Sequence, residues 1–371
     1  MDSGGFIEPD LAFIAELKKN GGGDLKKCYQ CATCSVVCNV TPDDHPFPRK
    51  EMMLAQWGAA DQLVYSPDVW LCHNCGDCTA NCPRGAKPAD VLAAVRNASF
   101  RQLAVPQVMG SMLSVPAWLL PILAVPVAIL LLVLASSGGL ALPEGTITYS
   151  KLFPIWLIDS VFVPVGIFAV TASFLSIKKF WKGMERLSPL PRDADMMAAV
   201  KDTVVEIIFH KKFAKCEANS QRRWGHMLFF FGFIALFITT NMVMAYHYVL
   251  DRQTPLHLLD PVKMLGNLGA VAAFAGVTWV VLRRIFGKGE TGSATYYDWT
   301  FILALYLTIL TGIGSELARL ADMPGMAYTV YFMHLTLIFF LLAYMPFSKF
   351  SHMMYRAAAM VFSVAAGRNR Q

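Results

Sequence analysis

Six long apolar segments dominate the sequence after residue 115 and restrict the folds open to the chain. No charged residue occurs between Arg101 and Glu144, and apolar stretches recur until about Pro346. Hydrophobic residues make up 55% of the 371 residues and the mean hydropathy is +0.45, values typical of a membrane protein. Stretches of this length predict membrane-spanning helices, and hence a mainly α fold. The predicted spans are 116–135, 152–177, 224–248, 262–282, 299–318 and 327–347.

The basic residues between the spans predict the orientation of the chain. Lys and Arg cluster in every second connection, as they do on the cytoplasmic side of a membrane, and the opposite connections carry only Lys151, Arg252, Lys263 and Arg319. We therefore expect a multi-pass protein of the cell inner membrane with both termini in the cytoplasm. The first ten residues also lack the basic region and apolar core of a secretory signal. The formal charge of +6 is too small to indicate nucleic-acid binding.

Eight of the nine cysteines form two runs with the same spacing, Cys-x-x-Cys-x-x-Cys-x-x-x-Cys. This is the spacing of bacterial ferredoxins with two [4Fe–4S] clusters, in which the fourth cysteine of each run binds the other cluster. Zinc is the alternative, but its sites use separated pairs of cysteines instead of a close triplet. The two predicted ligand sets are Cys28, Cys31, Cys34 and Cys82 for one cluster, and Cys72, Cys75, Cys78 and Cys38 for the other.

These patterns predict two domains. Residues 1–102 would form a cytoplasmic, helical, two-cluster ferredoxin-like domain, and residues 103–371 a transmembrane cytochrome b-type domain with six helices. Between the second and third spans, residues 193–216 alternate in polarity at helical spacing and predict an amphipathic helix pair on the membrane surface. His45 and His73, beside the cysteine runs, are expected at the surface, and Cys216 stands apart from the motifs.

Four histidines fall at matched depths in two spans. His226 and His247 lie near the two ends of the third span, and His334 and His352 lie near the outer and cytoplasmic ends of the last one. Histidines at matched depths on antiparallel helices can hold haem through its iron. The predicted pairs are therefore His226 with His352 and His247 with His334, each for one b-type haem (heme b). His210 and His257 have no such partner and are left unassigned.

The chain resembles known proteins over nearly its whole length. The first hundred residues resemble the C subunit of heterodisulfide reductase, and the membrane part is similar to the cytochrome b (gamma) subunit of respiratory nitrate reductase. This fusion is similar to the C subunits of quinone-interacting membrane-bound oxidoreductase complexes of sulfate-reducing organisms. The stretches that match the nitrate reductase protein are Trp224-Gly225-His226-Met227-Leu228, Leu282-Arg283-Arg284-Ile285-Phe286, and the run from Met333-His334 to Ser351-His352.

The resemblance implies cofactors and partners. It implies electron transfer between menaquinol or menaquinone and cytoplasmic flavin and iron–sulfur subunits of the same complex, and through them to adenylylsulfate reductase. It also implies a quinol site near Lys263, for which interfacial snorkelling of this side chain is an equal alternative. The family's outer haem ligand falls on Leu236, so either His247 replaces that ligand or only the inner haem is bound.

Two other functions remain open at this point. The chain could be a membrane anchor that docks a soluble redox enzyme without reacting with quinone, with its histidines serving a structural purpose. It could also be a transporter with an accessory redox domain, which Asp159 and Glu316 near the spans suggest weakly. The leading hypothesis is an electron-transfer subunit that is not catalytic alone.

Overall fold

A computed structural model of the chain describes residues 8–138, 141–287 and 294–368. Within these ranges the chain is helical and contains no strand. Single turns of other helix types occur at Lys18–Gly22, Leu25–Lys27, Pro116–Trp118, Met345–Phe347 and Lys349–Ser351. The α-helices are α1 (Leu11–Leu17), α2 (Thr33–Val36), α3 (Arg49–Trp57), α4 (Ala60–Val64), α5 (Pro67–Leu71), α6 (Asp77–Ala80), α7 (Pro88–Leu103), α8 (Gln107–Leu113), α9 (Leu119–Ser136), α10 (Tyr149–Leu152), α11 (Ile155–Leu187), α12 (Met196–Phe209), α13 (Lys211–Ala214), α14 (Arg222–Tyr248), α15 (Pro261–Phe286), α16 (Tyr296–Leu320), α17 (Pro324–Tyr344) and α18 (His352–Ala365).

The six predicted spans are confirmed as helices. They are α9, α11 and α14 to α17, each long and apolar enough to cross a bilayer. The second span is longer than predicted, because α11 continues to Leu187 and carries several basic residues past the apolar part. The mainly α fold with six membrane helices is therefore as the sequence predicts.

The four later spans pack as neighbouring pairs. Helix α14 lies along α15, α16 lies along α17, and α15 joins the two pairs through α16. Glycines allow the close approach of α14 and α15: a Cβ atom added at Gly232 would lie 2.5 Å from the backbone nitrogen of Ala273. One added at Gly276 would lie 2.4 Å from the nitrogen of Phe229. Small residues at such crossings are the usual way for membrane helices to pack tightly.

The N-terminal region and the membrane helices share one hydrophobic core. Trp70 of α5 is buried at the centre, with its ring centroid 5.2 Å from Phe100 of α7. It also lies 6.0 Å from Phe180 near the C-terminal end of α11 and 4.9 Å from Tyr355 of α18. The N-terminal region is thus packed against one end of the bundle, and both α11 and α18 contribute to its core.

The connection between the second and third spans forms the predicted helix pair, α12 and α13. Asp195 caps the start of α12 by accepting a hydrogen bond from the backbone nitrogen of Ala198 at 2.9 Å. Helix α12 packs against α18 through a face that buries Ala199 and Thr203. The end of α12 meets the first turns of α14, where the ring of His210 lies 5.1 Å from that of Phe230. The connection therefore covers the N-terminal end of the third span.

Candidate functional site: two cysteine sets beside a pair of histidines

The two cysteine runs fold into the same local structure. Each run begins in a loop, continues through a single helical turn, α2 or α6, and ends just after it. Two residues with positive φ precede the helical turn in both runs, Gln30 and Ala32 in the first and Asn74 and Gly76 in the second. Left-handed residues reverse the backbone direction at short range, which turns successive thiols towards a common centre. The repeated spacing is therefore a repeated three-dimensional structure.

The thiols converge across the two runs. Burial is the main reason why the pKa of Cys34 is raised to about 11. Nearby thiolate charges add to this rise, and one of them is that of Cys82 from the second run. In the same way, Cys38 of the first run is among the charges that, after burial, raise the pKa of Cys78 well above its usual range. The fourth cysteine of each run is thus near enough to the triplet of the other run for their charges to interact, and this proximity is compatible with crossed ligand sets.

His226 and His352 both lie at the end of the bundle that packs against the N-terminal region. His226 is close enough to His352 for a charge on one side chain to act on the other. The ring of His352 is also 6.4 Å from that of Phe301 in α16. The Nδ1 atom of His352 is 2.6 Å from the carbonyl oxygen of Lys349, whereas Nδ1 of His226 is buried without a hydrogen-bond partner. These two imidazoles fit a bis-histidine haem, because the Lys349 contact leaves Nε2 of His352 free to bind iron.

His334 lies in the middle of α17 and faces α16. Its Nδ1 atom is 3.0 Å from the carbonyl oxygen of Thr308 and 3.2 Å from the hydroxyl of Thr311. As in His352, Nδ1 can thus donate its hydrogen to a backbone carbonyl, which leaves Nε2 for a ligand. Close packing holds the ring, since a Cβ atom added at Gly312 would lie 2.9 Å from it.

The structure does not bring His247 to His334. Two contacts set the register of the antiparallel spans, that of Gly266 with Thr239 and that of Lys263 with Glu316. Counted along the helices from these contacts, His334 is level with Leu236 of α14. His247 lies eleven residues further along α14, about 16 Å nearer its C-terminal end at about 1.5 Å per residue. The position level with His334 is the one on which the resemblance places the family's outer ligand.

Arginines beside the two inner histidines hold the second cysteine run. Arg356, one turn after His352, donates to the carbonyl oxygens of Trp70 at 2.9 Å and Cys72 at 3.2 Å, and its Nη2 is 2.7 Å from Nε2 of His73. Arg222, one turn before His226, donates to the carbonyl oxygens of His73 at 3.2 Å and Asn74 at 2.7 Å. We call this contact the arginine junction.

His73 and His210 contribute to this region although the sequence analysis gave them no site. His73 is half-buried, contrary to the surface position expected for it, and its ring stacks on Phe213 at 5.2 Å. Phe213 in turn lies 5.6 Å from His226, and the buried His210 ring lies 5.3 Å from His226. Adjacency to Cys72 was the one sequence feature that could have placed His73 here. His45 is exposed as expected.

Lys263 lies in the first turn of α15 and belongs to an ion-paired group. Its ammonium is 2.8 Å from one carboxylate oxygen of Glu316, and Arg319 is 2.8 Å from the other. Glu316 is thus neutralised by two cations, as an acid in a membrane span usually is. Asp159 accepts a hydrogen bond from the hydroxyl of Tyr248 near the same side.

Comparisons with known proteins identify relatives of the iron–sulfur region and of the membrane part. The family described as Citrate utilization protein B matches residues 110–371, and a 4Fe-4S dicluster domain matches residues 24–86. The chain is 28% identical to Citrate utilization protein B of Escherichia coli, over 94% of this chain and 92% of that protein. No solved structure gives a significant match.

Two further relatives belong to heterodisulfide reductases. The chain is 34% identical to the C subunit of the H(2):CoB-CoM heterodisulfide,ferredoxin reductase of Methanothermobacter marburgensis, over 24% of this chain and 48% of that protein. It is 22% identical to the E subunit of the dihydromethanophenazine:CoB–CoM heterodisulfide reductase of Methanosarcina thermophila, over 47% and 69% of the two chains. The predicted resemblance of the N-terminal region to the C subunit of heterodisulfide reductase is confirmed.

These matches decide between the two interpretations of the cysteine motif. A dicluster domain over residues 24–86 supports iron–sulfur clusters over zinc, and redox-complex relatives of both halves indicate membrane-associated iron–sulfur electron transfer within a multi-subunit assembly. The family match extends over the whole membrane part and the full-length relative over nearly the whole chain. The chain belongs to the Citrate utilization protein B family.

Proposed function

We propose that this chain carries electrons between menaquinone in the membrane and soluble flavin and iron–sulfur subunits in the cytoplasm. The two [4Fe–4S] clusters would be held by the crossed cysteine sets, and a b-type haem by His226 and His352. A bis-histidine haem supplies one-electron transfer with no open coordination position for a substrate. A quinol is a two-electron donor, and one-electron carriers such as haem and [4Fe–4S] clusters can accept its electrons singly.

The arginine junction is the observation that carries the proposal. Arg222 and Arg356 are each one turn from a proposed haem ligand, and both bind backbone carbonyls of the Cys72–Asn74 loop. Each guanidinium group donates to two backbone carbonyls through its Nη1 atom, which limits the freedom of this loop. The cysteines of the second set are therefore held against the same helices that present His226 and His352, which is the arrangement that electron transfer between the two sites needs.

One haem is assigned here. A second haem on His247 and His334 stays a prediction, and it would have to span the depth difference between those side chains. Lys263 is the candidate for contact with the quinone ring. It lies at one end of α15, and His226 is level with the other end. A haem at His334 would lie between the two and shorten each electron-transfer step. Haem quantification on the purified chain distinguishes one layer from two.

The identity of the soluble partner is proposed only as a class. The Escherichia coli relative is named for citrate utilization and the other relatives for heterodisulfide reduction. A flavin-containing cytoplasmic subunit fits both names as an electron donor or acceptor. Adenylylsulfate reductase, which the sequence resemblance implies, is one soluble protein to test. We also propose that both termini lie in the cytoplasm, so a reporter fused after Gln371 should be active only there.

The test is a set of histidine substitutions in the full chain. His226→Ala and His352→Ala should each remove the same haem from the visible spectrum, keep the iron and sulfide of the clusters, and stop cluster reduction by a menaquinol analogue. His257→Ala, in an exposed outer loop, is the control and should change none of these. Haem retained in both inner variants would refute the assignment. A wild-type chain that binds no haem would instead support the membrane-anchor function.

A further inference from the structure

The segment between α13 and α14 binds the turn of the second cysteine run that contains Cys75 and Asp77. Asn219 donates from Nδ2 to the carbonyl oxygen of Cys75 at 2.9 Å. The backbone nitrogens of Glu217 and Ala218 donate to the carboxylate of Asp77 at 3.3 and 2.6 Å. We call Cys216–Asn219 the cluster clasp. It belongs to the membrane part in sequence but completes the surroundings of Cys75 in space.

Cys216 begins the cluster clasp and is 2% exposed. Its sulfur, that of Cys75 and a carboxylate oxygen of Asp77 all lie within 4.8 Å of one another. At this separation a thiol on Cys216 is near enough to Cys75 to act as a donor to its sulfur. With Cys75 bound to iron as a thiolate, the only proton between the two sulfurs belongs to Cys216, so Cys216 must be the donor.

The first cysteine run has its own hydrogen-bond donor at the position where the second run has none. There, the hydroxyl of Thr33 lies 3.3 Å from the sulfur of Cys31 and can donate to it. The corresponding residue of the second run is Asp77, whose carboxylate lies 3.3 Å from the sulfur of Cys75. An ionised carboxylate has no proton to donate, and this one accepts hydrogen bonds from the two clasp nitrogens. The donor that the first run supplies from within is thus supplied to the second by Cys216.

We propose that Cys216 is a positioning residue that donates a hydrogen bond to the sulfur of Cys75 and raises the reduction potential of the second cluster. Donors to cluster sulfurs favour the reduced, more negative state, and this one offsets the nearby charge of Asp77. The inference rests on the proposed assignment of Cys75 as a ligand. It makes the potential of the second cluster depend on the connection between the second and third spans.

The test compares matched donor deletions in the purified full chain. Redox titrations followed by paramagnetic resonance measure each cluster separately, with signals assigned through Cys34→Ser and Cys78→Ser. Cys216→Ala should lower the midpoint potential of the second cluster alone and leave iron and sulfide content unchanged. Cys216→Ser keeps a donor and should stay close to the wild-type potential. Thr33→Ala is the matched control and should lower the potential of the first cluster alone.

Unchanged potentials in Cys216→Ala, or an equal shift of both clusters, would overturn the proposal. Loss of iron in both Cys216 variants would also overturn it, because a ligand or an assembly role would then explain the residue. Failure of the ligand assignment is distinguishable, since Cys75→Ser would then leave both signals unaltered. None of these measurements uses quinone or haem, so the proposed function can fail without changing their outcome.

Discussion

Gly276 lies where α15 crosses α14, and adding one methyl group there tests how the bundle positions its inner histidine. In Gly276→Ala the new Cβ atom would lie 2.4 Å from the nitrogen of Phe229 and 2.7 Å from the carbonyl oxygen of Gly225. Ordinary van der Waals contacts are 3.4–4 Å, so the two helices must separate locally by about 1 Å. Gly225 directly precedes His226, so the displacement falls on the proposed haem ligand.

The effect of Gly276→Ala on the free energy of unfolding can be compared with that of the same substitution at a second glycine. Overpacking of a close contact costs about 1–3 kcal/mol, against which replacing a helical glycine by alanine gains about 0.5–1 kcal/mol. A Cβ atom added at Gly166 of α11 would have no atom within 4 Å. Gly166→Ala should therefore show the stabilisation from alanine without the destabilisation from overpacking. We therefore expect Gly276→Ala to destabilise the chain and Gly166→Ala to be neutral or slightly stabilising.

Thermal unfolding of both variants in detergent, followed by tryptophan fluorescence and by the Soret band, measures this difference. Gly276→Ala should unfold and release haem at a lower temperature than the wild type, whereas Gly166→Ala should not. Equal stability and equal haem retention in the two variants would refute the packing of α14 on α15 described here. Haem loss at unchanged protein stability would show that His226 alone had moved.

Three further predictions concern the iron–sulfur region. Arg356→Ala should slow cluster reduction by quinol while haem and iron remain, because it removes the donor to the Trp70 carbonyl. Leaving that carbonyl unpaired costs about 1–3 kcal/mol. Stopped-flow absorbance measures the rate of cluster reduction, and an unchanged rate would contradict the arginine junction. Burial and then the charge of Asp68 raise the pKa of Glu51 to about 8, so the folded chain keeps a proton that the unfolded chain releases above about pH 4.5. The stability of the chain should thus fall as pH rises from about 4.5 to 8. Thermal unfolding across this pH range should show a smaller fall in Glu51→Gln than in the wild type. An equal fall in the two proteins would contradict the prediction. Cys82→Ser should alter the cluster of the first run in paramagnetic resonance, whereas loss of only the second would contradict the crossed sets.

The sequence predicted those features that depend on short stretches of chain. Six apolar segments became six helices, because a stretch of 20 apolar residues has one low-energy state in a bilayer. The cysteine spacing predicted an iron–sulfur domain, since thiols three residues apart can reach one cluster. The amphipathic pattern of residues 193–216 also predicted the helix pair that forms there. The distribution of Lys and Arg indicated an orientation that stays a prediction.

The tertiary structure decided which distant residues meet. Depth counted from span ends matched His247 with His334, but the register of the helices, set by glycine contacts, puts Leu236 at that level instead. Sequence spacing could not show that Cys216, lying 134 residues after Cys82 in an ordinary-looking connection, reaches Cys75. Motif spacing and hydropathy are local properties that the sequence carries by itself. Helix register and the docking of a connecting segment depend on side-chain packing between elements far apart in the chain, which only the folded structure determines.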